Sequence, residues 1–375
     1  MHELELVLAI NDERKVHMKY IRIYGMMMLA LSLVLSAVSA YGALDEWATL
    51  NKEIQKLRSE GQYNRAVTAA EQALQAAEKS FGPDHPNMAA SLNNLAEIYM
   101  ILSECAKAES SFKRSLAIYE KMYGPDHFNM VQHLNSIAKV YYDYAFYEKA
   151  ELLYRRALTI QEKVRNPYHP DIAASINSLA LTYHRNYQYA QAEPLYKQAL
   201  AIREKIYNPR HPAIGESLNN LASLYYDQSQ YSDAEPLYKR SLEIAEKNYG
   251  PNHPNVATIL NNLAALYYVQ GQYEQSEPLL KQALAIQEKI NGPDHLYLAG
   301  SLINLAVLYD ARGLYAEAEP LYKRGLAMKE KVLGPNHPDV ATTLEDMAIL
   351  YRATKRAKDA KELEKRITNI RATRR

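Results

Sequence analysis

A five-residue loop recurs seven times along this chain at intervals of 42 residues, and no other feature restricts the fold as much. It reads GPDHP from Gly82, GPDHF from Gly124, NPYHP from Asn166 and NPRHP from Asn208. It continues as GPNHP from Gly250, GPDHL from Gly292 and GPNHP from Gly334. Six equal intervals without an insertion or deletion mean one structural unit copied in tandem. Such units stack on their neighbours and leave a long open surface, which suits binding better than catalysis.

The prolines mark the breaks. Of 16, twelve lie in the repeated loop, and the others are Pro194, Pro236, Pro278 and Pro320, at one repeat position. This predicts helices separated by regular breaks, with the four extra prolines in a first helical turn, where a missing N–H is tolerated. In the unit that begins at Ile214, Leu218, Leu221, Ala222 and Tyr225 form one apolar stripe at helical spacing. After a polar break at 228–231, Ala234, Leu237, Tyr238, Ser241 and Leu242 form a second. Gly250 then Pro251 reads as a glycine helix cap, and Asn166 and Asn208 are expected to take the same left-handed conformation.

The columns hold along the chain. Tyr99, Tyr141, Tyr183, Tyr225, Tyr267, Tyr309 and Tyr351 share one position, and Ala96, Ala138, Ala180, Ala222, Ala264, Ala306 and Ala348 another. Ala108, Ala150, Ala192, Ala234 and Ala318 repeat in the second helix. A degenerate first unit contains Leu50, Leu57, Gly61, Tyr63, Ala66 and Ala73. This pattern resembles the tetratricopeptide repeat, and LNNLAALYYVQGQYEQSEPLLKQALAIQEKINGPDH (260–295) is similar to the 42-residue repeats of kinesin light chain and its bacterial relatives. The resemblance implies an all-α fold, a right-handed superhelix (α-solenoid) of about eight antiparallel helix pairs over residues 44–370, with the first helix of each pair lining a concave groove. Glu364 stands where other units place Phe or Tyr, which suits a polar cap. A short basic tail, 371–375, follows.

Residues 18–43 have a different composition. Lys19 and Arg22 precede an apolar run from Met26 to Leu35 and small residues ending Val38-Ser39-Ala40. That is the pattern of a secretory signal, with Met18 as its natural start and cleavage after Ala40 or Gly42. The rival is an uncleaved signal-anchor, because Gly25 to Ala43 is uncharged and close to the ~20 residues that span a bilayer. The expectation is export, periplasmic or secreted if cleaved, with membrane contact only through residues 19–43 if not.

Several chemistries are excluded. With 44 Lys plus Arg against 43 Asp plus Glu, no net field favours nucleic acid. The single Cys105 excludes an internal disulfide. Seven of eleven histidines belong to the loop, one per repeat, too far apart to share a metal, so they are expected to bond exposed amides at the start of the following helix. Glycine-rich phosphate loops, H-E-x-x-H and G-x-S-x-G are absent. Acids such as Asp233 and Glu235 read as exposed helix-start charges. No catalytic residue, metal or cofactor is expected.

Binding then falls to the groove side of the first helices. One column there is Asn94, Asn220, Asn262 and Asn304, interrupted by Ser136 and Ser178; beside it run Asn93, Asn135, Asn177, Asn219 and Asn261. A free amide both donates and accepts, so it can hold an extended peptide by its main chain. The alternative is that these amides bond neighbouring helices, which also compensates Asn's poor helix propensity. Polar side chains such as Lys139 and Arg185 line the central units, and Ala265, Val269, Val307, Ala311, Ile349 and Ala353 the later ones. The expected function is a non-enzymatic scaffold in the cell envelope that binds a peptide or protein segment; the alternative is a membrane-tethered assembly protein that self-associates.

Overall fold

A computed structural model describes residues 44–292 and 296–372. The expected signal or anchor in residues 1–43, His295 and the end of the basic tail lie outside the described residues. Among the described residues there are sixteen α-helices and no strand. The first helices of the pairs are α1 (44–59), α3 (Pro86–Ile101), α5 (Met130–Asp143), α7 (Pro170–Arg185), α9 (Pro212–Asp227), α11 (Pro254–Val269), α13 (Leu296–Ala311) and α15 (Pro338–Ala353). The second helices are α2 (Tyr63–Phe81), α4 (Cys105–Tyr123), α6 (Tyr147–Val164), α8 (Tyr189–Ile206), α10 (Tyr231–Tyr249), α12 (Tyr273–Asn291), α14 (Tyr315–Leu333) and α16 (Ala357–Ala372). The fold is an α-solenoid of eight pairs, divided into one compact unit ending at Val164 and another beginning at Arg165.

A loop histidine starts five of the first helices, α3, α7, α9, α11 and α15. His85 Nδ1 accepts the Asn87 N–H at 3.1 Å, and His169, His211, His253 and His337 repeat the bond at 3.1–3.2 Å. The ring satisfies one of the amides that an α-helix leaves open at its first turn, and the proline that follows needs none. His127 makes the same bond to Asn129, but with Phe128 in place of the proline α5 begins only at Met130. An aromatic at the end of the preceding helix stacks on the cap: Tyr207 on His211 at 3.7 Å between centroids, Tyr249 on His253 at 4.4 Å.

The loop glycines sit at φ 79–91° with ψ near 150–170°. That region is closed to residues with a Cβ, so the expectation that Asn166 and Asn208 copy it is corrected. Both asparagines keep negative φ. The helix before each ends one residue early, and the Asn Oδ1 accepts the N–H two residues on, at 2.9 Å for Tyr168 and 3.0 Å for Arg210. The four extra prolines are also deeper than expected. They are the sixth residue of α8, α10, α12 and α14, not part of a first turn. Pro194 and Pro236 face solvent, where water satisfies the carbonyl they leave open.

Inside each pair the turn is a left-handed residue at 61, 103, 145, 187, 229, 271, 313 or 355, of which only three are glycine. The residue after it donates its N–H to the carbonyl of the column tyrosine, from Glu104 to Tyr99 through Arg356 to Tyr351, at 2.7–2.9 Å. This is the double-bonded helix terminus that satisfies last-turn carbonyls. The core is the expected one. The seven column alanines are 3% exposed or less, and Ala108, Ala150, Ala192, Ala234 and Ala318 are fully buried.

Two substitutions test these local devices by urea denaturation. His253→Ala should lose about 1 kcal/mol by removing a cap, while His253→Asn should keep most of it. Tyr187→Gly should gain about 1 kcal/mol, because Tyr187 is 81% exposed at φ 59° and its ring meets only the edge of Tyr189, at 6.3 Å.

Candidate protein-binding face

Within residues 165–375 each first helix contacts the next: α7 with α9, α9 with α11, α11 with α13, and α13 with α15. Their side chains form one continuous face. Asparagines cross the seams by a fixed rule, each donating to a residue 43 positions earlier. Asn220 Nδ2 donates to Asn177 Oδ1 at 3.2 Å, and Asn262 Nδ2 to Asn219 Oδ1 at 3.1 Å. In the first unit Asn94 donates to Asn51 at 2.8 Å. These amides are therefore engaged in holding neighbouring helices, not free on the face.

The rule fails at identifiable places. Asn93 finds Ser136 at the matching position, whose short hydroxyl donates to its own helix at Gln132. Asn93 Oδ1 stays buried without a partner, as does Asn135 Oδ1. Asn261 turns its amide to Ser301 Oγ at 3.0 Å, leaving its own Oδ1 unpartnered and Asn304 exposed. Lys139 is exposed and paired with Asp143 at 2.6 Å. It borders an open cavity whose other charges, Arg58 and Glu97, pair at 2.8 Å. Arg185 is exposed at the end of α7.

A second column tells more. Arg203, 6% exposed, donates to Ala213 O and to Ser217 Oγ, both at 2.8 Å. At the counterpart positions Gln287 Oε1 accepts from Ser301 Oγ at 2.8 Å and Lys329 donates to Thr343 Oγ1 at 3.0 Å. Between them the chain has Ala245 facing Ile259. A cavity of about 370 Å³ opens there, lined by Gly215, Glu216, Asn219, Ile244, Thr258 and Ile259 among others. This site was missed in the sequence, although an alanine in a column of long polar side chains was a visible signal. The face beyond it is apolar: Val269 is 41% and Ile349 55% exposed, with Ala311 and Ala353 open beside them.

The electrostatics separate scaffold from site. Glu235 is not the free helix-start charge expected. It accepts the Tyr267 hydroxyl of the next pair at 3.0 Å and pairs with Lys239 at 2.7 Å, which together hold its carboxyl below the usual range. Glu277 and Glu319 repeat this with Tyr309 and Tyr351. By contrast burial raises the Asp310 carboxyl. Burial also pushes Asp346 up to about 6, opposed by Lys329 and reinforced by Glu345 and Asp310. Among the described residues no cluster of three or more His, Cys, Asp or Glu has the geometry of a metal site, and no helix is long and apolar enough to cross a membrane.

The tetratricopeptide repeat model matches at 56–121, 87–163, 131–205, 171–247, 213–289, 255–331 and 312–373. Among solved structures, BtubC (BKLC) from P. vanneervenii is 26% identical, with a TM-score of 0.51 over 60% of this chain and 91% of that one. The TPR-like repeats of a kinesin light chain from Podosopora anserina are 30% identical over 55% of this chain and 98% of that one, at a TM-score of 0.48. Aspartyl phosphate phosphatase F from Bacillus subtilis shares the fold at 17% identity, with a TM-score of 0.59 over 81% of this chain and 75% of that one. No curated protein matches the sequence.

Replacing Asn220 by Ala leaves the buried Asn177 Oδ1 unpaired and should cost about 1–3 kcal/mol, whereas Asn304→Ala should change stability by less than about 0.5 kcal/mol. Thermal melts of the two variants check the contrast. Asp346 gives a pH signature. A carboxyl raised by folding stabilises the chain while protonated, so stability falls as pH rises from about 4 to about 6. Asp346→Asn should melt higher than the parent at pH 7.5 and match it at pH 4.

Proposed function

The chain belongs to the tetratricopeptide repeat family, and on that premise we propose that it is a non-enzymatic scaffold holding a segment of a partner protein against its first helices. The observation that carries this is the cavity at Ala245, together with the exposed aliphatic side chains of α11, α13 and α15. An internal Arg, Gln or Lys fills the equivalent space in three other repeats, so the space at Ala245 is a local departure from the scaffold's own pattern. A pocket of that size with a polar rim anchors one large apolar side chain, and the aliphatic stretch takes those that follow.

The asparagines divide accordingly. Asn304 is assigned a bond to the partner's main chain. Asn261 lies beside the face, Asn93 and Asn135 keep their unpartnered acceptors inside the other unit, and Lys139 and Arg185 offer polar contacts in their own units. Asn94, Asn177, Asn219, Asn220 and Asn262 are assigned to holding the register of the face. Neither a cofactor nor nucleic acid enters this reading. The charged flank, apolar run and small-residue exit of residues 18–43 support export to the cell envelope.

The test is selection of linear peptides from a displayed random library on the full chain. The double variant Ala245→Gln/Ile259→Ser restores the internal pair found in α12 and α13. It should melt no lower than the parent and bind the selected peptides at least about tenfold more weakly. Unchanged binding would remove the cavity from the site.

A further inference from the structure

We propose that Asp310 and Asp346 form the receptor for one basic side chain, lysine or arginine, of the partner segment, seated between Val307 and Ile349. This deepens the reading above and rests on it. The two aspartates are the departure. Three other half-buried acids in this part of the chain have cations: Glu277 pairs with Lys281 and Arg312, Glu319 with Lys323 and Arg356, Glu345 with Arg371. Asp310 and Asp346 are both half-buried, and neither makes an ion pair or hydrogen bond among the described residues. Lys329, the cation whose field reaches Asp346, donates to Asp339 O and Thr343 Oγ1 at 3.1 and 3.0 Å.

The asparagine rule explains Asp346. It occupies the column of Asn220 and Asn262, but the residue 43 positions earlier is Ile303, which offers no partner. A second observation is independent of the acids. Tyr322 is 1% exposed, its hydroxyl makes no hydrogen bond among the described residues, and it lies in the field of Asp346, Asp310 and Tyr268. Within residues 165–375 the same tyrosine is satisfied in two earlier repeats, where Tyr238 donates to Ser223 at 3.0 Å and Tyr196 meets His184 at 3.3 Å; the buried Tyr154 of the other unit makes no hydrogen bond among the described residues. Val307 and Asp310 stand in place of that serine and histidine.

Two carboxylates and a phenol oxygen match the three donors of an ammonium or the fork of a guanidinium. They are too few for a hard divalent cation, which takes six or more oxygens. The rim fits a side chain with a long apolar stem: Val307 packs on the Tyr322 cluster, and Ile349 lies one turn beyond Asp346. Two like charges set half out of water also gain more from a cation than exposed acids do.

Peptides selected on the full chain should share a Lys or Arg with aliphatic neighbours. By calorimetry, changing that residue to Gln should weaken binding about tenfold. On the Asp310→Asn/Asp346→Asn variant the parent and Gln peptides should bind alike, and this variant should melt no lower than the parent protein at pH 7.5. Selected peptides without a basic residue, or whose binding ignores the double substitution, overturn the inference while leaving the binding face intact. A variant that melts lower assigns both acids to the scaffold and equally overturns it. If no peptide is selected, the binding face falls and the inference with it.

Discussion

In five repeats one tyrosine, Tyr99, Tyr225, Tyr267, Tyr309 or Tyr351, ties its helix pair to itself and to the pair before it. Its carbonyl closes the turn inside the pair, accepting from the residue after the left-handed position at 2.7–2.9 Å. Its hydroxyl reaches back to a glutamate of the preceding pair, as Tyr267 does to Glu235 and Tyr351 to Glu319. A cation lies over the ring, Lys239 at 6.0 Å from the Tyr267 centroid and Arg356 at 3.9 Å from that of Tyr351. The buried alanines of the neighbouring column let the helices approach closely enough for those contacts. In those repeats local turn geometry and stacking between pairs share one residue.

Because the scaffold is copied, each column is a control for its own exceptions. Arg203, Gln287 and Lys329 show what the position of Ala245 does elsewhere; Tyr238 and Tyr196 show how the hydroxyl of Tyr322 would be satisfied. Natural sequences give up local consistency at functional sites. Beyond the early departures at Asn93 and Asn135, three fall in the later repeats. A missing polar side chain opens a cavity at Ala245, an unpaired phenol sits at Tyr322, and Asp346 stands across from Ile303. Each costs the scaffold a contact that other repeats keep, and each lies on or beside the same face.

Much of the fold was legible in the sequence because its causes are local. The loop histidines bond the amides two residues on, as expected of groups preceding a helix; the alanine column is buried as the periodicity required, and the tyrosine column is buried except for the half-buried Tyr225 and Tyr309. Local reasoning failed where the backbone region was misidentified. Asn166 and Asn208 were equated with glycines whose ψ near 150–170° excludes any Cβ, so the helices before them end early instead. The inside turns were hidden for the opposite reason: five of the eight left-handed residues carry a side chain and give no glycine signal.

The sequence alone determined the period, the helix pairs, the caps and the buried columns, since each depends on residues within a turn or two of one another. Which amides are spent and which are open was decided only by the tertiary structure. Asn220 and Asn304 occupy the same helix face and the same repeat position, yet one is bonded and the other exposed. The difference lies 43 residues away, where Asn177 offers its oxygen and Asn261 has turned to Ser301. A hydrogen bond needs both partners in place, and the second partner is set by packing between helices, which no single helix records.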